Sequence, residues 1–147
     1  MKAVVDANVW LAAFDAAEPD HFDSAAFLRE AAVQGIAFMA PAIVPAEVAA
    51  ATARRSRDSQ KGEQAMTRLP QTPGLQFVEL TIPRAEQAGR SASRHFLKGA
   101  DSIYAALAFE LGAELVTLDG ELLTRTSGAL TTLTPADWLV RHSAAQP

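Results

Sequence analysis

Four acidic residues stand where a lone carboxylate is not easily explained. Asp6 lies between two apolar stretches in V-V-D-A-N-V-W (4–10). Glu47 lies in P-A-E-V (45–48), at the start of a helical pattern. Asp101 lies in G-A-D-S-I-Y-A-A-L-A (99–108), just after the Gly99 break. Asp119 ends L-V-T-L-D (115–119). Capping is an ordinary role for Asp6, Asp101 and Asp119, because an Asp oxygen accepts the free N–H groups of a helix start. Glu is a poor N-cap, so that role suits Glu47 least. Several carboxylates on one edge repel each other, and burial raises their pKa values. A hard divalent cation relieves both effects, takes oxygen ligands and leaves positions for water and phosphate. A joint metal site therefore explains the set better than four separate caps.

The elements that must hold these acids follow from periodicity. Short apolar runs at Lys2–Val5, Ile36–Ala40, Leu75–Leu80 and Glu114–Leu118 read as strands, with a shorter fifth near Ala129–Thr132. Helical spacing marks Asn8–Phe14, Phe22–Gln34, Ala42–Arg55, Asp58–Leu69, Pro83–Arg94 and Asp101–Leu111, with a closing turn at Pro135–Arg141. Gly35 and Gly112 sit at helix C-caps, and Pro83 at an N1 position. Strands alternating with helices predict an α/β three-layer sandwich: a central, mostly parallel sheet of four to five strands flanked by helices. In such sheets ligands bind beyond the carboxyl ends of the strands. Asp6 and Asp119 directly follow strands and fall there. One domain is expected over residues 1–141, with a frayed tail at 142–147.

The composition sets limits. The chain has 147 residues, no Cys, 49% hydrophobic and 20% charged residues, enough for a core without staples. Disulfide frameworks, zinc knuckles and cysteine nucleophiles are excluded. No apolar run reaches the roughly 18 residues of a membrane span, so a cytoplasmic protein without a membrane partner is expected. The net charge of -4 taken alone argues against nucleic acid. It is unevenly spread, however. Nine of the 13 Lys and Arg fall between Arg54 and Lys98 against four acids, so that segment carries +5 and the remainder -9. Arg54, Arg57, Lys61 and Arg68 recur at helical spacing as one face; Arg90, Arg94 and Lys98 form another. These faces read either as solubilising surface or as a groove that tracks phosphates. On the second reading Arg54, Arg57, Lys61, Arg90, Arg94 and Lys98 contact the phosphates of a nucleic acid. His21, His95 and His142 have no metal-ligand spacing and read as surface or half-buried. Trp10, Phe14, Phe27, Phe38, Phe109 and Trp138 read as core. Phe96, between His95 and Leu97 near the basic stretch, is the one aromatic set apart from these as a candidate for stacking on a base.

The ordered series V-V-D-A-N-V-W, P-A-E-V, G-A-D-S-I-Y-A-A-L-A and L-V-T-L-D resembles PIN-domain ribonucleases, most of all the small bacterial VapC-type toxins of type II toxin–antitoxin systems. The resemblance runs from Met1 to about Trp138. It implies a PIN-like fold and a Mg2+- or Mn2+-dependent endoribonuclease that cleaves single-stranded RNA. The family's acids fall on Asp6, Glu47, Asp101 and Asp119. Asp6, Asp101 and Asp119 would hold the metal; Glu47 is left between binding a second ion and positioning water. Asn8 and Thr117, with Ser102 as a further candidate, would orient carboxylates or waters. A small cognate antitoxin and a homodimer are also implied, with Phe22–Gln34 contributing to a partner surface. One departure is that G-E-L-L-T-R supplies leucines where the family often has an aromatic after the last Asp. Two rivals stay open. A phosphotransfer or phosphatase enzyme also uses an Asp after the first strand. The phosphatase wants a second Asp where Asn8 stands, and a receiver wants adjacent acids and a late Lys that Leu118–Arg125 lacks. The other rival is a catalytically inactive binding module on the same fold.

Overall fold

A computed structural model describes residues 1–143. Its strands are β1 (Lys2–Val5), β2 (Ala37–Pro41), β3 (Leu75–Val78), β4 (Glu114–Val116) and β5 (Thr132–Leu133). They form one sheet in the order β3-β2-β1-β4-β5, and every pairing is parallel. The helices are α1 (Ala7–Phe14), α2 (His21–Val33), α3 (Val44–Ser56), α4 (Ser59–Arg68), α5 (Ile82–His95), α6 (Gly99–Leu111), α7 (Gly120–Arg125) and α8 (Pro135–Ser143). The expected α/β architecture is thus present. None of the described helices is long and apolar enough to cross a membrane.

Sequence and burial agree at the centre. In β1, Ala3, Val4 and Val5 are fully buried, as a central parallel strand covered on both faces requires. Helix α6 packs across β1, β2 and β4, with α5 against it. A second group is formed by α1, α2 and α8. Aromatic rings knit this group to the sheet. Trp10 and Phe27 each meet Phe38 edge-on, at 5.8 and 5.9 Å, and Phe27 meets Trp138 at 4.9 Å. Such T-shaped pairs align ring edges with ring faces. Leu122, from the leucines after Asp119, is fully buried.

Several expectations need correction. The fifth strand starts at Thr132 rather than Ala129, because Gly128 turns the chain at φ 84° and β4 pairs only from Thr132 onward. Pro83 is the second residue of α5, not the first; Thr81 caps that helix by accepting the Arg84 N–H. The supposed single face Arg54–Arg57–Lys61–Arg68 is broken. Helix α3 ends at Ser56, Arg57 turns left-handed at φ 54°, and Asp58 caps α4 through the N–H groups of Gln60 and Lys61. The two helices then pack at Gly62, where a Cβ would lie 2.7 Å from the Ala49 carbonyl oxygen. Lys98 leaves the Arg90–Arg94 face, since α5 ends at His95. Phe109 is 67% exposed, because it falls past the buried stripe Tyr104–Ala108 of α6.

The C-terminal end is more ordered than the expected closing turn. Helix α8 runs to Ser143, past the domain end expected at 141. His142 is buried and stacks on Trp138 at 4.1 Å. Glu114, at the start of β4, accepts from Trp138 Nε1 at 3.0 Å and lies 2.9 Å from His142 Nε2. The rest of the expected tail, residues 144–147, lies outside the described residues.

Candidate acidic site at the carboxyl edge of the sheet

The chain builds β2 and β3 on one side of β1, then crosses to place β4 on the other. Loops after β1 and β4 diverge at such a switch point and leave a crevice. Asp6 follows β1 and Thr117–Asp119 follows β4. The backbone fixes both. The Asp6 N–H donates to the Val116 carbonyl at 3.0 Å, and the Thr117 N–H to that of Leu133 at 3.0 Å.

Asp6 is buried and, although it precedes α1, makes no side-chain capping bond. Its Oδ2 instead accepts from the Thr117 hydroxyl at 2.6 Å. The same hydroxyl oxygen accepts from the Asp119 N–H at 3.0 Å and lies 3.4 Å from Asn8 Nδ2. Asn8 Oδ1 accepts from the Leu118 N–H at 3.1 Å. Thr117 and Asn8 therefore tie the end of β4 to the carboxylate after β1.

The other acids differ in how their oxygens are used. Asp119 Oδ1 caps α7, accepting from the N–H groups of Glu121 and Leu122 at 2.8 and 3.0 Å. Asp101 lies in the first turn of α6, and its buried Oδ2 has no hydrogen-bond partner. Among the described residues only Ser24 Oγ shares that condition. An unpartnered buried carboxylate oxygen is costly unless something else satisfies it. Glu47, from α3, accepts from the hydroxyl of Tyr104 on α6. Tyr104 is buried and was absent from the expected set. It is the chain's single Tyr, three residues after Asp101 and hence on the same helix face. Ser102 donates to the Gly99 carbonyl at 2.7 Å, within its own helical turn, and reaches no acid.

Burial dominates the electrostatics. It pushes the Asp6 carboxyl up to about 6; the Thr117 hydrogen bond opposes this, and the Glu47 and Asp101 charges add to it. The Glu47 carboxyl is also raised by burial, opposed by the Tyr104 hydroxyl and reinforced by Asp101. Asp101 is raised by burial and by the charge of Asp119, with Lys98 opposing and Glu121 adding. Burial and the Asp6 charge push the Tyr104 hydroxyl up, so it stays protonated as a donor. These couplings trace a chain from Glu47 through Asp6 and Asp101 to Asp119. Among the described residues no three of these acids are drawn into a closed metal-binding group. Asp6, Glu47 and Asp119 turn to Thr117, Tyr104 and the N–H groups of α7, and Asp101 alone is left with an unpartnered oxygen. An all-oxygen set with an orphaned Asp101 oxygen and raised pKa values fits a hard divalent cation.

Of the basic candidates, Arg54, Arg57, Lys61, Arg90 and Arg94 are exposed. Lys98 stands at the N-cap of α6, with Nζ 3.8 Å from Glu121 Oε2. Arg55 pairs with Glu18, and Arg84 with Glu110.

The fold has close counterparts among solved structures. The chain is similar to a VapC20 toxin from Mycobacterium tuberculosis described as cleaving the sarcin-ricin loop (TM-score 0.69, 20% identity, 82% of this chain and 92% of that one). It is similar to PAE2754 from Pyrobaculum aerophilum (0.67, 24%, 98% and 96%). It is also similar to a chain of VapBC2 from Rickettsia felis, solved with a promoter DNA fragment (0.67, 14%, 91% and 98%). No curated protein matches the sequence. The sequence pattern of the PIN domain matches residues 3–128, and with its acids gathered at the switch point of a parallel sheet the chain belongs to the PIN domain family.

Proposed function

We propose that the protein is a Mg2+- or Mn2+-dependent endoribonuclease that cuts single-stranded RNA and serves as the toxin of a toxin–antitoxin pair. The observation that carries this reading is the buried, partnerless Oδ2 of Asp101 beside the raised carboxyl of Asp6. Asp6, Asp101 and Asp119 would hold the cation. A bound divalent ion supplies Lewis-acid polarisation of the phosphate and a lowered pKa for its water. Thr117 and Asn8 orient Asp6 and fix the end of β4. Glu47, held by Tyr104, sits next to Asp6 as the acid suited to positioning the attacking water. Arg54, Arg57, Lys61, Arg90, Arg94 and Lys98 supply exposed positive charge for the RNA backbone.

Two further points support the toxin role. A chain of a toxin–antitoxin complex from Klebsiella pneumoniae shares this fold, at a TM-score of 0.60 and 19% identity. Helix α2 exposes Phe22 and Val33, at 79% and 76%, which a partner or a second copy of the chain would cover. The test is metal-dependent cleavage of single-stranded RNA by the purified protein, with and without EDTA. Asp6→Asn and Asp101→Asn should abolish cleavage while circular dichroism is unchanged. Full activity in either variant, or in EDTA, overturns the reading.

A further inference from the structure

Phe96 is the most exposed large apolar side chain among the described residues, at 80%. Its backbone is left-handed, with φ 54° and ψ 40°, at the C-cap of α5. That conformation is costly for a bulky residue and normally falls to glycine, as Gly112 does at the end of α6. An exposed aromatic gains nothing from packing that would offset this cost. Strain retained without a packing reason points to a use.

Its surroundings say which use. Arg94 and Lys98 flank it two residues to either side, and both are exposed. Arg125, the last residue of α7, donates through Nη1 to the Phe96 carbonyl. Lys98 and Arg125 both reach Glu121, at 3.8 and 3.6 Å, so the α5–α6 turn is clipped to α7. Asp119 caps α7, and the charges of Lys98 and Glu121 both act on the Asp101 carboxyl of α6, so this turn lies beside Asp101. Arg94, Lys98 and Arg125 thus bring positive charge to the turn that presents the ring to solvent, next to Asp101. Single-strand binding combines this pairing, with cations tracking phosphates and an aromatic face taking a base.

We propose that Phe96 is a base-stacking side chain that seats one nucleotide of a single strand beside the acidic site. This rests on the nuclease reading and names the strand contact next to it. Recognition by stacking tolerates any base, since every base offers a π-face. Phe96 thus positions the strand, and the acids do the chemistry.

The ring can be tested without threatening the fold. Phe96→Gly removes the strained side chain, so its melting temperature should be no lower than that of the unaltered protein. Its affinity for a short single-stranded RNA, measured in EDTA, should fall by roughly 5- to 100-fold. Phe96→Leu should fall similarly, and Phe96→Trp should bind at least as well. Trp10 and Trp138 are both fully buried, so the new indole reports alone on the surface. Its fluorescence should be quenched by the RNA, and not by an abasic strand of equal charge. No quenching while the unaltered protein still cleaves RNA overturns this inference and leaves the nuclease reading standing. Quenching without any cleavage by the unaltered protein supports the stacking site and overturns the nuclease reading. Unchanged RNA affinity in Phe96→Gly, with a smaller species on gel filtration, overturns the inference in favour of a protein contact.

Discussion

Thr117 donates its hydroxyl to Asp6 Oδ2 across 2.6 Å, although 111 residues separate the two. One side chain after β4 thereby holds the carboxylate after β1. Because the same oxygen accepts the Asp119 N–H, it also fixes where the last acid stands. Thr117→Val keeps the shape and removes this link. Calorimetry should show Mn2+ affinity falling by about 10- to 100-fold, as for other groups that orient metal ligands. Thr117→Ser should restore most of it. Equal affinity in the Val variant would leave Thr117 as packing only.

The raised Asp6 carboxyl makes stability depend on pH. Its ordinary value is 3.8 and its folded value about 6, so the folded state holds the proton more tightly. The stabilisation is complete below about pH 4 and is lost as pH rises through 6. Denaturation in EDTA should therefore give lower stability at pH 8 than at pH 4, by on the order of 2–3 kcal/mol from this group. Asp6→Asn should flatten much of the slope, with Glu47 and Asp101 supplying the remainder. Stability that rises between pH 4 and 8 in the metal-free protein would contradict this.

Tyr104 supports Glu47 through a hydrogen bond that lowers the Glu47 carboxyl against its burial. Removing the hydroxyl in Tyr104→Phe should push that carboxyl higher. The acid limb of the cleavage pH profile should then move to higher pH, with little change in melting temperature. An unmoved limb would show that Tyr104 only fills space.

Arg90 and Arg94 share a face of α5, and both are exposed. Neutralising both as Gln should weaken RNA binding and reduce the slope of log affinity against log salt by about 1.4, at roughly 0.7 per single-strand phosphate contact. An unchanged slope would make these residues solubilising surface.

Glu114 joins the start of β4 to α8 through Trp138 and His142. It lies at the opposite end of β4 from Thr117. Glu114→Ala leaves the buried indole N–H without its acceptor and should cost about 1–3 kcal/mol in urea unfolding. RNA cleavage by the protein that remains folded should be unchanged. A large loss of activity at full stability would tie α8 to the acidic site.

The sequence alone determined the alternation of strands and helices, because periodicity and burial of apolar side chains are local properties. It also put Asp6 and Asp119 at one edge, since residues directly after parallel strands share an end of the sheet. Gly35 and Gly112 were legible for the same local reason. What each acid does with its oxygens was not. Asp119 caps a helix, Asp101 is left with an orphan oxygen, and Glu47 finds Tyr104, 57 residues away. Helix α8 closing on Glu114 and the break between Arg54 and Lys61 were equally hidden. These features depend on register and crossing, which no window of sequence contains. The pairing Val5 with Val116 sets Thr117 level with Asp6. A one-residue slip would turn the Thr117 side chain to the other face, and only the tertiary structure selects against it.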